Sequence, residues 1–180
     1  MVATTSDRRV RRSQKALQEA LLSLMSEKPY DQITVQDVID RADVGRSTFY
    51  SHYVGKEALL DAALGELRAV LTSRGVPPLG FSLPLLHHVQ QHRVLGQALF
   101  SSARHTFVAQ RIVALLEEAI RHDLAKAGLT NLPLPPDGFV KYAAGAYMAI
   151  VQWWLHSAEP MPPAELDQKA RGLILAAAQP

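Results

Sequence analysis

Two short amphipathic segments joined by a three-residue turn constrain this fold most strongly, and they lie between residues 33 and 60. Thr34 stands where an N-cap residue would start a helix, and Asp37, three residues later, stands at the position of the second residue of a capping box. Apolar residues then recur at helical spacing. The pattern predicts a helix from about Val35 to Ala42.

A turn and a second short helix follow directly. Asp43 favours a turn, Val44 is apolar enough to tuck into the core, and Gly45 tolerates backbone angles that other residues resist. The next helical segment, residues 46–52, would be about 10 Å long and so fits the major groove of DNA, which is about 12 Å wide. This arrangement is typical of a helix-turn-helix.

One ordered set of residues keeps its spacing through this stretch without a gap: Ala42, Val44, Thr48, Phe49, Tyr50, Tyr53, Lys56, Glu57, Leu59 and Leu60. The set resembles the recognition segment of TetR/AcrR-family transcriptional regulators, whose usual sequence is close to A-G-V-S-x-G-T-x-Y-x-x-F-x-x-K-E-x-L. Gly45 departs from it by standing where the family usually has Ser or Thr, and Tyr53 replaces the more usual Phe. Glycine is an acceptable N-cap, at a cost of only a few tenths of a kcal/mol relative to Ser.

Composition excludes several classes of protein. The chain has 180 residues and 48% hydrophobic content, so it can bury a substantial core. It has no cysteine, which removes disulfides, thiol catalysis and cysteine zinc sites. No window approaches the roughly 20 apolar residues that span a bilayer, and the N-terminus lacks the apolar region of a signal peptide. We therefore expect a cytoplasmic protein with no membrane partner.

The net charge of +2 is concentrated in the first third of the chain. Residues 1–56 hold nine Lys or Arg against seven Asp or Glu, whereas residues 57–180 hold ten of each. A basic cluster opens the predicted first helix, where the helix dipole favours acidic residues, so we expect these cations to contact phosphate. A run of basic residues that is only solvated is the alternative. The basic cluster comprises Arg8, Arg9, Arg11, Arg12 and Lys15.

The second helix carries side chains that suit DNA contact. Arg46, Ser47 and Thr48 lie at its start, the part that most often meets base edges, and arginine can bond guanine O6 and N7 together. Each of the three could instead bind phosphate only. Tyr50 and His52 add further donors and acceptors on the same helix.

Further contacts to phosphate are expected around this helix. Tyr50, Tyr53 and Lys56 reach phosphate oxygens without reading sequence, although Tyr53 could instead pack in the core. Thr34 can cap its helix and also lie against phosphate, whereas Phe49 is assigned to the core. The predicted DNA-contacting residues are Arg12, Thr34, Arg46, Ser47, Thr48, Tyr50, His52, Tyr53 and Lys56.

Helical periodicity continues along the chain, and no strand or repeat is recognisable. Two prolines and two glycines in residues 74–80 mark a boundary. We therefore predict an all-α fold with an N-terminal three-helix helix-turn-helix DNA-binding domain at residues 1–55, linked through helix 56–74 to a larger helical effector-binding and dimerisation domain at residues 75–180. The remaining predicted helices cover about 9–27, 83–100 with a break left open, 106–127, 136–157 and 163–178.

The resemblance implies a small-molecule pocket in the larger domain, but it transfers no pocket residue. Phe107, Tyr147 and Trp153 are the predicted ligand contacts, and ordinary core packing is the alternative for each. The resemblance also implies a homodimer formed by the last two helices. The positions suited to that interface, or equally to the core of one chain, are Ala143, Ala146, Ile150, Leu166, Ala170, Leu173 and Ile174.

Histidines supply the best candidates for metal ligands. His88 and His92 are spaced i, i+4, so both imidazoles can face one ion. Two ligands do not close a site, and a third would have to come from His105, His122 or His156 by folding. The sequence therefore predicts no metal and no cofactor.

These features predict a homodimeric, sequence-specific transcriptional regulator that binds a double-stranded DNA operator. The resemblance implies a repressor that a small-molecule effector releases from DNA. The alternative is a regulator without such a ligand, acting through protein partners or constitutive DNA binding. An enzyme is not predicted, because no arrangement of acid, base and nucleophile is recognisable.

Overall fold

A computed structural model describes residues 5–73, 78–100 and 106–178. Within these ranges the chain forms α-helices and one short 3₁₀ turn at residues 30–32, with no β-strand, so the predicted all-α class is confirmed. Residues 74–77 of the predicted boundary segment lie outside the described part. The helices are α1 (Thr5–Glu27), α2 (Val35–Ala42), α3 (Arg46–His52), α4 (Lys56–Ala63), α5 (Gly65–Leu71), α6 (Ser82–Gln91), α7 (Arg93–Phe100), α8 (Thr106–Lys126), α9 (Pro136–His156) and α10 (Pro163–Ala176).

The first four helices close around one core. The apolar face of α1 is fully buried at Leu17 and Leu21, and it packs against α2 and α4. Val38 of α2 and Phe49 of α3 are also fully buried in this core. Burying a side chain of this size stabilises a fold by about 1.5–3 kcal/mol, so a few such residues hold the short α2 and α3 in place.

The turn between α2 and α3 differs from the prediction in one detail. Asp43 takes the left-handed conformation, with φ 51° and ψ 51°, whereas Gly45 is extended and caps α3 without a side chain. Aspartate tolerates the left-handed region better than most residues, so it ends α2 where a glycine often stands. Val44 packs against the core, as its apolar character predicted.

The single helix predicted at residues 56–73 is two helices. Leu64 has φ −78° and ψ 2°, which departs from helical geometry, and Gly65 follows it. Glycine has a low helix propensity, so the chain bends there at little cost. Leu64 belongs to the core of α1–α4, whereas Leu71 of α5 belongs to the core of the larger unit.

The larger unit is built around α9. Trp154 is fully buried, Tyr147 and Phe139 are nearly so, and α8 and α10 both pack against this helix. The predicted helix at 83–100 is broken at His92, which separates α6 from α7. Gly96 of α7 lies so close to α9 that a Cβ there would be 3.1 Å from Leu155 Cδ1. The close approach explains a glycine inside a helix.

None of the helices in the described part of the chain is long and apolar enough to cross a lipid bilayer.

Candidate nucleic-acid interface and internal cavity

Helix α3 presents one polar face to solvent and anchors itself through the other. Phe49 is fully buried, whereas Arg46, Ser47 and Tyr50 are exposed and Thr48 is half-buried. The Arg46 guanidinium lies 5.7 Å from the centroid of the Tyr50 ring, and this cation–π contact lines both side chains up along the exposed face. The helix therefore displays hydrogen-bonding groups on a fixed support.

The start of α1 lies beside the end of α3. Ser13 Oγ is hydrogen-bonded to His52 Nε2 at 2.8 Å, across 39 residues of sequence. Arg12 precedes Ser13 and is exposed, and so are Arg8, Arg9 and Lys15. The contact therefore brings the basic cluster next to the polar helix, so that one surface offers both cations and hydrogen-bonding groups.

Tyr53 lies in the core, the alternative that the sequence left open. Its side chain is 8% exposed, and its hydroxyl accepts a hydrogen bond from Gln18 Nε2 at 3.0 Å. The phenol oxygen thus links the end of α3 to α1, which gives Tyr53 a structural role, and its predicted contact with phosphate stays a prediction.

Lys56 has intramolecular partners that the sequence did not predict. Its ammonium donates to the carbonyl oxygens of Tyr30 at 2.8 Å and Ile33 at 2.7 Å, and it lies 4.2 Å from the centroid of the Tyr30 ring. Burial lowers the pKa of this lysine from its ordinary value. The predicted phosphate ligand is therefore engaged within the fold, and any phosphate contact would be additional.

Thr34 forms the predicted capping box. Its hydroxyl accepts from the Asp37 N–H at 3.1 Å and donates to Asp37 Oδ2 at 2.7 Å, while its own N–H donates to the same oxygen at 2.7 Å. Because its single hydroxyl hydrogen is given to Asp37, Thr34 has none for phosphate in this arrangement. The lysine at position 28 pairs with Asp37 at 2.9 Å and completes the cap.

A cavity of about 110 Å³ lies where the two units meet. Leu22 and Met25 of α1 form one wall, and residues of α4 to α9 form the others. Most of the lining is apolar. Because α1 also carries the contact with α3, the cavity touches the element that supports the polar helix.

Both parts of the chain match families of regulatory proteins. Residues 17–63 match the family model described as bacterial regulatory proteins, tetR family. Residues 78–175 match the model described as transcriptional regulator C-terminal region. The protein belongs to the TetR family.

Individual relatives agree with this assignment. The chain is 27% identical over 146 residues to the HTH-type dhaKLM operon transcriptional activator DhaS of Lactococcus lactis, a match that covers 78% of each protein. It is 44% identical over 59 residues to the HTH-type transcriptional regulator YxbF of Bacillus subtilis, and this match covers 32% of the chain but only 16% of YxbF.

A solved structure extends the likeness to the whole fold. The crystal structure of a TetR transcriptional regulator from Streptococcus agalactiae is 27% identical, with a TM-score of 0.73 over 99% of this chain and 100% of that one. The TetR-family protein is thus a transcriptional regulator with a helix-turn-helix, and its relatives are regulators rather than enzymes.

The structure separates the three predicted ligand contacts of this TetR-family protein. Tyr147 lines the cavity through its ring, because its hydroxyl donates to the Ser82 carbonyl at 3.1 Å and lies 2.9 Å from Ser82 Oγ. Burial raises the pKa of this phenol. Phe107 instead stacks on Tyr30 at 5.5 Å, and Trp153 is 56% exposed. Neither of these two lies among the lining residues.

Glu66 is a polar residue of the cavity that the sequence analysis did not identify. His88 and His92 line the cavity beside Glu66 of α5, and one ligand atom of each lies within 4.8 Å of the others. Burial, and then the neighbouring His92, lower the pKa of His88. His122 and His156 are not in this group, and His105 lies outside the described residues. No local pattern links Glu66 to α6, because the two lie on different helices.

Proposed function

We propose that this TetR-family protein is a homodimeric repressor that binds a double-stranded DNA operator in the cytoplasm and leaves it when a small effector fills the cavity. The observation that carries the DNA-binding part is the exposed face of α3, supported by buried Phe49 and flanked by the basic cluster. A polar helix of about 10 Å with cations beside it suits the major groove and its phosphates.

Roles on this surface divide by position. Arg46 and Ser47 lie in the first turn of α3, where side chains meet base edges, so they are proposed to read sequence. Tyr50, His52 and Arg12 lie further along the surface and are proposed to contact phosphate. Thr48 is half-buried on the same helix, and its hydroxyl is proposed to contact the groove.

The dimer is proposed to form through α9 and α10. Tyr142, Ala149 and Trp153 form an exposed stripe on α9, and Leu173 of α10 is 66% exposed. Gly145 belongs to the same stripe, and a Cβ there would have no other described element of the chain within 4 Å. Glycine inside a helix costs about 1 kcal/mol relative to Ala, so close approach of a partner helix is a physical reason for it.

The seven positions that suited either a dimer interface or the core of one chain differ in their exposure. Ala143, Leu166, Ala170 and Ile174 are almost fully buried within one chain and are core residues. Ala146 and Ile150 are partly buried against that core. Leu173 alone among the seven has a large exposed side chain. Periodicity alone therefore did not separate the inner faces of α9 and α10 from their outer faces.

The effector is proposed to be small and largely apolar. An engineered apolar cavity of about 150 Å³ holds benzene, so a cavity of about 110 Å³ suits a molecule of that size or slightly smaller. Filling it would press on Leu22 and Met25 of α1 and on Leu64 at the bend between α4 and α5. The proposed consequence is a population shift toward a spacing of the two α3 helices that no longer matches one DNA turn, about 34 Å.

Selection of bound fragments from genomic DNA by the purified protein tests the DNA-binding proposal. We expect a shared sequence with two half-sites about one helical turn apart. Arg46→Ala should change which sequences are selected, whereas Tyr50→Phe should weaken binding to all sequences alike. Fragments without a common sequence would contradict a specific operator, and unaltered preference in Arg46→Ala would move that residue to the phosphate contacts.

A thermal-shift screen of small monocyclic compounds, followed by operator titration, tests the effector proposal. A ligand of the native state raises the melting temperature and, under this proposal, also releases the DNA. Compounds that bind in the cavity and leave operator affinity unchanged would contradict the release mechanism. Lack of any ligand among metabolite extracts would favour the alternative of a regulator that acts without one.

Activation is the second candidate, and the resemblance to DhaS, which is named a transcriptional activator, favours it. The direction of control depends on where the operator lies relative to the promoter. In vitro transcription from a promoter carrying the selected operator distinguishes the two outcomes. Less transcript with protein supports repression, and more transcript supports activation.

A further inference from the structure

Three side chains with metal-binding chemistry meet at the cavity. Glu66 lies in the first turn of α5, and His88 and His92 lie one turn apart at the end of α6, with ring centroids 4.5 Å apart. One ligand atom from each side chain lies within 4.8 Å of the other two. Residues from two helices therefore supply a set that neither helix holds alone.

The donor set fits a divalent transition-metal ion. Two imidazoles and one carboxylate are a zinc ligand set that leaves a fourth position open, and the same three groups also suit iron(II). Calcium and magnesium prefer oxygen ligands, so the two imidazoles disfavour them. Ligand atoms of a tetrahedral zinc site lie about 3.4 Å apart, and the exposed Glu66 and His92 can close the remaining distance by side-chain rotation.

The surroundings favour such an ion over unrelated polar groups. Glu66, His88 and His92 interrupt a lining that is otherwise mostly apolar, and the remaining ionisable lining residue, Tyr147, has its hydroxyl engaged by Ser82. Glu66 and His92 are exposed and His88 is half-buried, so an ion can reach the three side chains from solvent. A divalent ion bound there would balance the negative charge of Glu66, and its fourth coordination position would face the cavity.

We infer that Glu66, His88 and His92 bind one divalent transition-metal ion per chain, and that the ion ties α5 to α6 and thereby changes operator affinity. Helix α5 follows α4 of the DNA-binding core after the bend at Leu64. An ion that fixes α5 on α6 restrains this bend. The regulatory half of the inference rests on the proposed function, whereas binding of the ion does not.

Calorimetric titration of the tag-free chain with ZnCl₂ tests the site directly. We expect one saturable zinc ion per chain, and Co²⁺ should give the visible absorption of a four- or five-coordinate site with nitrogen ligands. Glu66→Gln and His92→Gln should each lower the affinity for zinc by at least about 100-fold, because losing even a residue that only hydrogen-bonds a ligand lowers metal affinity by about 10- to 100-fold. Both residues are exposed, so neither substitution disturbs the core.

His87→Gln is the matched control, since His87 is exposed on the same helix next to His88 and lies outside the cluster. It should bind zinc like the original chain. Equal zinc affinity in His92→Gln and the original chain, or loss of binding in His87→Gln alone, would overturn the site.

The regulatory half is tested on the selected operator with zinc or with a chelator. A zinc-dependent change of about tenfold or more in operator affinity that His92→Gln abolishes supports it. Zinc binding with unchanged operator affinity would overturn regulation while the site stands. Failure of both the zinc-loaded and the chelated protein to bind any operator would count instead against the proposed function.

Discussion

At the scale of single residues, Lys56 holds the DNA-binding core together from outside its apolar centre. Its ammonium bonds two carbonyls, those of Tyr30 and Ile33, which lie 26 and 23 residues earlier in the chain. Hydrogen bonds to charged groups contribute about 1.5–3 kcal/mol each, and partial exposure reduces this value. Lys56→Met, which keeps the aliphatic stem, should therefore lower the free energy of unfolding by about 1.5 kcal/mol in urea denaturation.

The control for this prediction is Lys15→Met, because the Lys15 side chain is 77% exposed and only pairs with Glu19 on its own helix. It should change stability by less than about 0.5 kcal/mol. The salt dependence of DNA binding separates the two roles of Lys56, since loss of one phosphate contact lowers the slope by about one. An unchanged free energy of unfolding in Lys56→Met would contradict the structural role.

At the scale of elements, the cap of α2 links helix stability to pH. Hydrogen bonds from the Thr34 backbone, from Lys28 and from the Thr34 hydroxyl hold the pKa of Asp37 well below its usual range. A carboxyl with a depressed pKa stabilises the fold above its unfolded pKa, about 3.9, and this contribution is lost as the pH falls through the folded value. Asp37→Asn should therefore lower the melting temperature at pH 7, and the difference should shrink below about pH 4.

Asp40→Asn is the matched control for the cap. Asp40 lies on the same helix and accepts from Gln36 Nε2 at 2.7 Å, a bond that an amide oxygen can also accept. Its melting temperature at pH 7 should stay close to that of the original chain. A deficit of Asp37→Asn that stayed constant from pH 7 to pH 3 would show that the carboxylate charge does not stabilise α2.

At the scale of the whole molecule, the exposed stripe of α9 is the surface through which we propose that two chains assemble. Trp153 on α9 is 56% exposed and Leu173 on α10 is 66% exposed, so both side chains are accessible to a partner subunit. Trp153→Glu and Leu173→Glu should each convert a dimer into a monomer in size-exclusion chromatography with light scattering. Each variant should also bind the two-half-site operator more weakly, because a monomer reaches only one half-site.

Val54→Glu is the control for assembly, since Val54 is 92% exposed in the turn between α3 and α4, in the DNA-binding unit rather than on α9 or α10. It should remain dimeric in the absence of DNA. A dimeric Trp153→Glu together with a dimeric Leu173→Glu would place the interface elsewhere.

Local signals explain what could be predicted from the residues alone. The capping box of Thr34 and Asp37 acts across three positions, and Phe49 was assigned to the core from its place in a short amphipathic helix. Such features depend on neighbours in the chain, so the helix-turn-helix and the all-α class were readable. Both Asp43 and Gly45 were expected to favour the turn, and only the structure shows that Asp43 is left-handed while Gly45 is extended.

Contacts between distant segments were decided only by the tertiary structure. Periodicity states which face of a helix is apolar, but not which helix covers it, so Phe107 was expected at a ligand and instead stacks on Tyr30. The spacing of His88 and His92 was visible in the sequence, whereas Glu66 joins them only because α5 packs on α6. The sequence by itself thus determined the DNA-binding motif, because its interactions are local. Only the tertiary structure determined the cavity and its cluster of Glu66, His88 and His92, because these residues come from separate helices.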